Sequence, residues 1–397
     1  MTLLLQDKER STGEAALGQA TENGQHAKAR KDLRESLLNP DGFSLNTIVN
    51  WPDPAISGKA RDEVRRALEH ADVFLPVYNQ QETVGLTIDY AMNQHGIPPE
   101  RITAVNCSDA HDRSGEIMVE KGIKPIEQWD MLKNVMDIDR FKDLCQVNDI
   151  RDLRGKGLTM FTGYLHRYLL KQQGLSPSAS THVIQTDTDI ANMGAGPEKW
   201  DPLSYFAYFI LRNHPDVHYL KAAKVGRNNE PFYVFNNALG AFGSHGLKYK
   251  EDLNKDIWPL TGEYGFNRQF PEEQVVYPSG YPIEMLMNMR RAELNCLWKQ
   301  VSIPEARRDG QNDWNKEIPM YADIQRMMLL VLGTRKQLDE LSLDDLRTIN
   351  GIIAEDHVTY VHDTKQVVPA NPKALRASRL MGSIPQLQKA GIIYSGK

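Results

Sequence analysis

Short apolar runs that alternate with helical stretches between residues 72 and 225 constrain the fold of this chain more than any other feature. Residues 73–79 form an apolar run with a polar end, and residues 82–91 follow with helical spacing. A second apolar run at 101–106 precedes a predicted helix at 115–121. Strands and helices in alternation are typical of a mostly parallel sheet covered by helices on both faces. The sequence therefore predicts an α/β fold with a doubly wound, Rossmann-like sheet, whose ligands bind beyond the carboxyl ends of the strands.

The same pattern divides the chain into four predicted regions. Residues 1–70 are predicted to be an N-terminal extension, because residues from about 7 to 35 are polar and charged with little apolar periodicity. The alternation of strands and helices occupies residues 71–225. Residues 226–318 are irregular and contain Gly- and Pro-rich loops, such as the loop predicted at 259–268. Residues 319–397 are predicted to be a helical C-terminal region with a tail.

Charge and cysteine content exclude several classes of protein. The chain has 397 residues, of which 41% are hydrophobic, so it can bury a large core. Its 52 Asp and Glu residues outnumber 47 Lys and Arg residues, and the net charge of -5 does not favour nucleic-acid binding. Three distant cysteines, Cys107, Cys145 and Cys296, predict neither a disulfide framework nor a zinc site. The sequence shows no secretory signal and no stretch of roughly 18 apolar residues that could span a membrane, so we expect a cytoplasmic protein.

Two aspartates one residue apart, Asp187 and Asp189, end an apolar run that begins at His182. Side chains at positions i and i+2 of an extended chain lie on the same face, so both carboxylates can reach one cation. Hard divalent cations prefer oxygen ligands. The pair predicts a cation site beside a diphosphate, although an isolated pair of this kind can simply shape a turn or cap a helix.

Five separated segments, in matching order and with similar spacing, resemble one family. They are 75–84 (LPVYNQQETV), 154–157 (RGKG), 187–189 (DTD), 259–264 (PLTGEY) with Arg268, and 280–284 (GYPIE). The first three are similar to the opening strand, basic loop and metal motif of GT-A glycosyltransferases, and the last two resemble paired segments of glucosyl-3-phosphoglycerate synthases. The resemblance implies a GT-A fold in which residues 71–225 hold a nucleotide-sugar and 226–318 lie on the acceptor side. The helical region 319–397 would serve acceptor binding or dimerisation.

The resemblance also implies a role for each matching residue. The residues around the donor would be Pro76, Tyr78, Asn79, Glu82, Ser108, Lys156, Asp187 and Thr188. Those around the sugar and acceptor would be Gly262, Glu263, Tyr264, Arg268, Tyr281 and Glu284. Lys156 would hold the diphosphate, Asp187 and Asp189 would bind Mg²⁺ or Mn²⁺, and the catalytic roles would fall to Lys156, Asp189 and Glu284. Electrostatics supports this arrangement independently of the resemblance, since a cation and a lysine can offset the negative charge of a leaving diphosphate.

Simpler interpretations stand beside these roles. Lys156, between two glycines, could be an exposed turn residue, and Asn79 could only shape a turn. Glu284 could act on the helix that follows it, because a carboxylate near a helix N-terminus is favourable by about 0.3–1 kcal/mol. Arg268 could form an ordinary surface ion pair.

Three departures from the family concern the metal, the acceptor and the nucleoside. The usual metal-binding histidine is missing from its position, and His357 or His362 are candidates farther along the chain. The Gly-rich segment that holds an acceptor phosphate has no clear counterpart. Cys107 stands where an aspartate beside the nucleoside is usual, which leaves Asp109 or Asp112 as substitutes.

The leading hypothesis is a metal-dependent, retaining glycosyltransferase that moves a hexose, glucose from UDP-glucose, to a small hydroxy acid such as 3-phosphoglycerate. The missing acceptor segment leaves open a larger acceptor, such as a hydroxymethylated base in DNA or a polysaccharide, although the acidic charge favours a small molecule over DNA. The missing histidine leaves open a non-catalytic nucleotide-sugar-binding protein. The apolar face of residues 320–332 predicts either a homodimer contact or a core helix.

Overall fold

The computed structural model of the protein describes part of the chain, all of it within one compact unit, Ser57–Lys397. The described residues are 58–175, 182–191, 193, 201–212, 217–225, 261–267, 270–304, 314–355, 359–361, 367–369 and 378–394. Three predicted site residues, Arg268, His357 and His362, lie outside the described residues. Residues 1–57 of the predicted extension and residues 226–260 of the predicted acceptor side also lie outside them.

Among the described residues, seven strands form a central sheet, and two strand pairs lie apart from it. The central strands are β1 (Ala71–Val77), β2 (Ile102–Asn106), β3 (Ile126–Glu127), β4 (His182–Gln185), β5 (Tyr219–Val225), β6 (Tyr264–Asn267) and β8 (Trp298–Pro304). Their spatial order is β3-β2-β1-β4-β6-β5-β8. The two pairs are β7 (Tyr277–Pro278) with β11 (Leu380–Gly382), and β9 (Thr359–Val361) with β10 (Val367–Pro369).

Helices follow or precede most of these strands. They are α1 (Gly58–Leu68), α2 (Val84–Asp89), α3 (Ser114–Glu120), α4 (Gln128–Val135), α5 (Ile138–Cys145), α6 (Lys156–Gln172), α7 (Pro202–Arg212), α8 (Ile283–Glu293), α9 (Trp314–Gly333), α10 (Leu343–Glu355) and α11 (Ile384–Lys389). A π-helical turn, Tyr90–Gln94, continues α2. Short 3-10 turns occur at Pro99–Arg101, Ile150–Leu153, Glu272–Gln274 and Leu338–Glu340.

The predicted α/β fold with a mostly parallel sheet is confirmed. β3, β2, β1 and β4 run parallel to one another, and β5 runs parallel to β8. Because β1, β2 and β4 are parallel, their carboxyl ends meet at one edge of the sheet. The turns after Val77, Asn106 and Gln185 therefore lie at the same edge, where ligands bind in folds of this class.

One strand departs from the prediction of a Gly- and Pro-rich loop over residues 259–268. Part of this segment is β6, which lies between β4 and β5 and runs antiparallel to both. Its first residue pairs with Gln185 on one side and Lys221 on the other. The loop prediction is wrong for these four residues because so short a run, with a glycine inside it, carries little local strand signal. Pairing with two neighbours and the burial of Phe266 stabilise the strand instead.

One large buried cluster lies on the face of the sheet that α6 and α8 cover. The residues of α6 from Gly157 to Leu165 are all buried, and its remaining turns are partly exposed. Four aromatic rings from the sheet and the following loop pack against one another: Tyr219, Tyr264, Phe266 and Phe270. Full burial of a large apolar side chain contributes about 1.5–3 kcal/mol. This cluster therefore stabilises the part of the sheet formed by β5 and β6.

The C-terminal helices complete the same core. The predicted apolar face of residues 320–332 packs inside the chain, with Ile324, Met327 and Val331 buried. Of the two predicted alternatives, residues 320–332 therefore form a core helix. Ser342 caps α10, since its Oγ accepts a hydrogen bond of 3.2 Å from the N–H of Asp345. Among the described helices, none is both long enough and apolar enough to cross a bilayer.

The four predicted regions stay predictions as domains. β5 belongs to the predicted region 71–225 and β8 to the predicted region 226–318, yet the two strands pair along their length in one sheet. All three cysteines are described, and none of them forms a disulfide.

Candidate functional site

The candidate site begins where α6 starts, at the carboxyl edge of the sheet. Lys156 is the first residue of α6 and lies between two glycines. A Cβ on Gly157 would lie 1.9 Å from the carbonyl oxygen of Pro278, so only glycine lets the helix approach the loop before α8 so closely. The N–H groups of Gly157 and of the next residue donate to the carbonyl oxygens of Gly280 and Ser279, at 3.2 Å each. These contacts fix the first turn of α6 and therefore the position of Lys156.

Lys156 lies between two carboxylates. Its Nζ is 2.6 Å from Glu284 Oε1 and 3.1 Å from Asp187 Oδ1. The side chains are largely buried, with exposed fractions of 13% for Lys156, 11% for Asp187 and 7% for Glu284. The interpretation of Lys156 as an exposed turn residue is therefore wrong. Glu284 is in the first turn of α8, but its carboxylate contacts Lys156. Three residues from three predicted segments thus meet at one point.

The turn after β4 holds Asp187 in this position. Thr188 Oγ1 donates a hydrogen bond of 2.9 Å to the carbonyl oxygen of Pro76, which ties the turn to the end of β1. On the other side, Gly262 has a φ of +80°, and a Cβ there would lie 2.0 Å from Asp187 Oδ2. The backbone at Gly262 therefore forms one wall beside the carboxylate. Asp189 follows two residues later and is half-buried.

The chemistry of this group fits a hard divalent cation that is shared with a phosphate ligand. One lysine against the carboxylates of Asp187 and Glu284 leaves these three side chains with a formal charge of -1. Within the described parts of the chain, no group of three or more His, Cys, Asp or Glu side chains is placed to hold a metal ion. Mg²⁺ commonly takes one or two carboxylates and completes its shell with substrate phosphates and water.

A second group of polar residues lies beyond the ends of β1 and β2. Asn79 adopts a φ of +51°, and its backbone N–H donates to Ser108 Oγ at 2.9 Å. Asn79 Oδ1 accepts a hydrogen bond of 2.9 Å from the backbone N–H of Asp109. Asn79 Nδ2 donates another of 2.9 Å to the Asp109 carboxylate. Arg154 Nη1 lies 2.6 Å from Asp109 Oδ1, and its guanidinium lies 5.6 Å from the centre of the Tyr78 ring. Asn79 therefore shapes the turn and also positions a carboxylate.

The two candidate substitutes for the missing aspartate have different surroundings. The hydrogen bond from Asn79 and the nearby charge of Arg154 lower the pKa of Asp109, so it is a carboxylate at neutral pH. Asp112 instead accepts a hydrogen bond of 2.9 Å from the N–H of Ser114 at the start of α3. Burial raises the pKa of Cys107 to about 11, so its thiol stays neutral and cannot supply the missing charge. The geometry favours Asp109.

The remaining predicted residues are distributed more widely. Glu82 is exposed before α2. Glu263 is fully buried, and its Oε2 accepts a hydrogen bond of 3.2 Å from Thr261 Oγ1. The ring of Tyr264 is fully buried and stacks on Phe266, with ring centres 5.9 Å apart, so it packs in the core below the site. Tyr281 is partly buried just before α8. The roles predicted for these residues toward a sugar or acceptor stay predictions.

In the sequence, Arg154 is recognisable only as part of a basic loop. The structure places this guanidinium between Tyr78 and Asp109, beyond the ends of two strands. The available signal was the position of an arginine two residues before Lys156, in the segment that leads into α6. A single sequence gives no indication that this arginine reaches a carboxylate 45 positions away.

Solved structures with a similar fold include glucosyl-3-phosphoglycerate synthases from Mycobacterium tuberculosis. One, in complex with phosphoglyceric acid, aligns with a TM-score of 0.53 at 15% identity over 83% of this chain and 96% of that chain. Two others, in complex with Mn²⁺, UDP-glucose and phosphoglyceric acid, align with TM-scores of 0.53 and 0.51, each at 15% identity over 84% of this chain and 96% of that chain. No family model and no curated protein sequence matches the chain. The likeness in structure establishes that this chain has the GT-A fold.

Proposed function

We propose that this protein is a metal-dependent glycosyltransferase that transfers a hexose from a nucleotide-sugar, UDP-glucose, to a small hydroxy acid such as 3-phosphoglycerate. The observation that carries the proposal is the position of Lys156 between Asp187 and Glu284 at the carboxyl edge of a GT-A sheet. Two structures of glucosyl-3-phosphoglycerate synthase with this fold are complexes with Mn²⁺, UDP-glucose and phosphoglyceric acid, which supports the same ligand classes here.

The donor would lie across the two polar groups of the site. The nucleoside would bind beside Tyr78, Asn79 and Ser108, with Asp109 as a fixed acceptor for its polar groups. Its diphosphate would then reach Lys156, which is the buried cation of the site. Such an arrangement positions the bond that breaks, between the sugar and the diphosphate, next to Glu284.

Asp187 and Asp189 would hold Mg²⁺ or Mn²⁺, which neutralises the negative charge that develops on the departing diphosphate. Lys156 would act on the same charge as a second, fixed cation. Because Lys156 contacts Asp187 at 3.1 Å, it must release this carboxylate, at least in part, when a cation is held there. Its ammonium can then turn to the diphosphate, so the nucleotide and the cation would bind cooperatively.

Glu284 would position a sugar hydroxyl or the acceptor, since its carboxylate lies on the far side of Lys156 from Asp187. The described residues include no clear protein nucleophile for a covalent intermediate at this point, and we assign none. The acceptor is proposed to be small and anionic, since an overall charge of -5 opposes binding along a nucleic-acid backbone.

The test is incubation of the full chain with radiolabelled nucleotide-sugars and Mg²⁺ or Mn²⁺, first alone and then with 3-phosphoglycerate, glycerate or glucosylatable DNA. We expect transfer from UDP-glucose to a small acid, with loss of transfer in Asp189→Ala and in excess chelator. Asp139→Ala is the matched control, because Asp139 is an exposed aspartate on α5.

Full activity of Asp189→Ala in excess chelator would contradict the metal-dependent mechanism. Transfer only to DNA or to a polysaccharide would keep the donor chemistry and replace the acceptor. Binding of UDP-glucose without hydrolysis or transfer would instead identify a non-catalytic nucleotide-sugar-binding protein.

A further inference from the structure

A polar cavity lies at the amino edge of the sheet, at the opposite end of the strands from the candidate site. It has a volume of about 400 Å³, within the range of small-molecule pockets. Its walls come from the starts of β1 and β2 and from the later turns of α6. The charged or titratable residues of the lining are Asp72, Glu100, Arg101, Lys124, His166 and Arg167. Since β1 has seven residues, the two edges are separated by roughly 20 Å along the strand.

One carboxylate of this lining is buried between two arginines. Arg167 Nη1 lies 2.7 Å from Asp72 Oδ2, and Arg101 Nε lies 3.6 Å from Asp72 Oδ1. The side chain of Asp72 is only 3% exposed, so it is the inner end of this group. The two guanidinium groups exceed the single carboxylate by one positive charge. Arg101 also donates hydrogen bonds to the backbone carbonyl oxygens of Glu69 and Ala71.

Three donors of the lining are left for a ligand. Arg167 uses only Nη1 in its contact with Asp72, and the structure gives Nη2 no hydrogen-bond partner among the described residues. The Lys124 side chain is exposed and makes no ion pair within the described part of the chain. The His166 ring forms no hydrogen bond with any described residue. Burial and the neighbouring Arg167 lower the pKa of His166.

Charge decides which ligand such a cavity favours. Arg101, Arg167 and Lys124 oppose Asp72 and Glu100, which leaves one net positive charge before His166 is counted. The carboxyl end of α6 adds partial negative charge nearby, so the helix dipole does not favour an anion here. An anion would be held by the side-chain cations alone. Guanidinium groups match phosphate oxygens in geometry and can donate two parallel hydrogen bonds.

We propose that this cavity is a binding site for a small phosphate-bearing anion, held by Arg167, Lys124 and His166. The site is separate from the donor site and does not depend on the proposed transferase activity. It is connected to that site through α6, which has Lys156 at its first position and Arg167 in its later turns. A ligand bound here would therefore contact the helix that positions the cation of the other edge.

The test uses the imidazole ¹H–¹⁵N signals of the full-length, ¹⁵N-labelled protein, with the His166 signal assigned from the His166→Gln variant. Inorganic phosphate is added at constant ionic strength. We expect a saturable shift of the His166 signal and a rise of its pKa. Lys124→Ala should weaken the apparent phosphate affinity by about threefold, since one partly exposed charge contact is lost. Lys133→Ala removes an exposed lysine of α4 outside the cavity and should leave the affinity unchanged.

Three results would overturn the proposal. The first is the absence of a saturable shift of the His166 signal. The second is an equal shift when potassium chloride of the same ionic strength replaces phosphate. The third is an unchanged phosphate affinity in Lys124→Ala. Because the signal is local to His166, phosphate that binds at Lys156 cannot produce it directly.

Discussion

The two edges of the central sheet carry opposite arrangements of charge. At the carboxyl edge, one lysine, Lys156, contacts two carboxylates, Asp187 and Glu284. At the amino edge, the carboxylate of Asp72 lies between two guanidinium groups, one of which belongs to Arg167. The first group has a formal charge of -1 and the second a formal charge of +1.

One helix contributes a cation to both groups. Lys156 and Arg167 lie eleven positions apart on α6, which is roughly 16 Å along a helix axis. The two triplets have opposite formal charges, which suits each to a ligand of opposite charge. The carboxyl edge is suited to a divalent cation with its phosphate ligand, and the amino edge to an anion.

The largest effect is expected from removing the centre of the amino-edge triplet. Asp72→Ala leaves two neighbouring arginines without their shared carboxylate, and loss of one partner from a buried ion pair costs about 3–5 kcal/mol. Urea denaturation should report a decrease in unfolding free energy near the lower end of that range, because both arginines are partly exposed. Asp139→Ala breaks an exposed pair with Lys142 and should change stability by less than about 1 kcal/mol. Equal changes in the two variants would remove the distinction between the edges and the surface.

Removing the centre of the carboxyl-edge triplet should lower transfer activity as well as stability, since two buried carboxylates lose their shared cation. Lys156→Met is expected to lower transfer by about 10²–10³-fold, because a fixed cation beside the departing diphosphate is lost. In the absence of nucleotide, the same variant should bind Mn²⁺ more tightly than the wild type, since Asp187 no longer contacts an ammonium group. Calorimetric titration with Mn²⁺ measures this, with Lys133→Ala as control. Weaker Mn²⁺ binding in Lys156→Met would contradict the competition between lysine and metal.

The third prediction concerns Glu272, a carboxyl group whose pKa is affected by Arg167 at the amino edge. Burial and the neighbouring Glu273 raise the pKa of Glu272 to about 7, and the charge of Arg167 acts in the opposite direction. Between pH 4.5 and 7 the native state binds more protons than the unfolded state, so stability falls as pH rises through this window, by up to about 1.4 kcal/mol per pH unit. Glu272→Gln should remove this part of the slope, and the variant should gain stability relative to the wild type at pH 8. An unchanged slope in urea melts at several pH values would exclude the mechanism.

The smallest effect is expected at the nucleoside end of the carboxyl edge. Asp109→Asn should weaken UDP binding by about tenfold, since a carboxylate fixed by Asn79 and Arg154 is lost. Asp112→Asn is the matched control, because this residue only accepts a hydrogen bond from the start of α3. Calorimetry with UDP and Mn²⁺ would show the difference. A larger effect in Asp112→Asn would reverse the assignment of the two residues.

The sequence predicts the half of the sheet that contains β1, β2 and β4 better than the half that contains β6. β1, β2, β4 and their helices follow from local periodicity, and the resemblance to a known family indicates Lys156, Asp187 and Glu284 from three separate segments. β6 was missed because its strand character depends on pairing with β4 and β5.

The amino-edge group gave no signal in the sequence. Asp72, Arg101 and Arg167 are far apart in the chain, and each is of a residue type that is usually exposed. Only the parallel pairing of β1 with β2, together with the course of α6, brings the three side chains to one point. The polar turn after β1 could be predicted as a ligand site, but the partnership of Asn79 with Asp109 required the fold.

The most direct test of the central claim is a calorimetric titration of UDP into the wild type and into Asp187→Asn, each with and without Mn²⁺. If the carboxyl edge holds a cation together with a nucleoside diphosphate, Mn²⁺ should strengthen UDP binding to the wild type by about tenfold or more and should have little effect in the variant. UDP binding that is independent of Mn²⁺ in the wild type, or equally dependent on it in Asp187→Asn, would contradict the account.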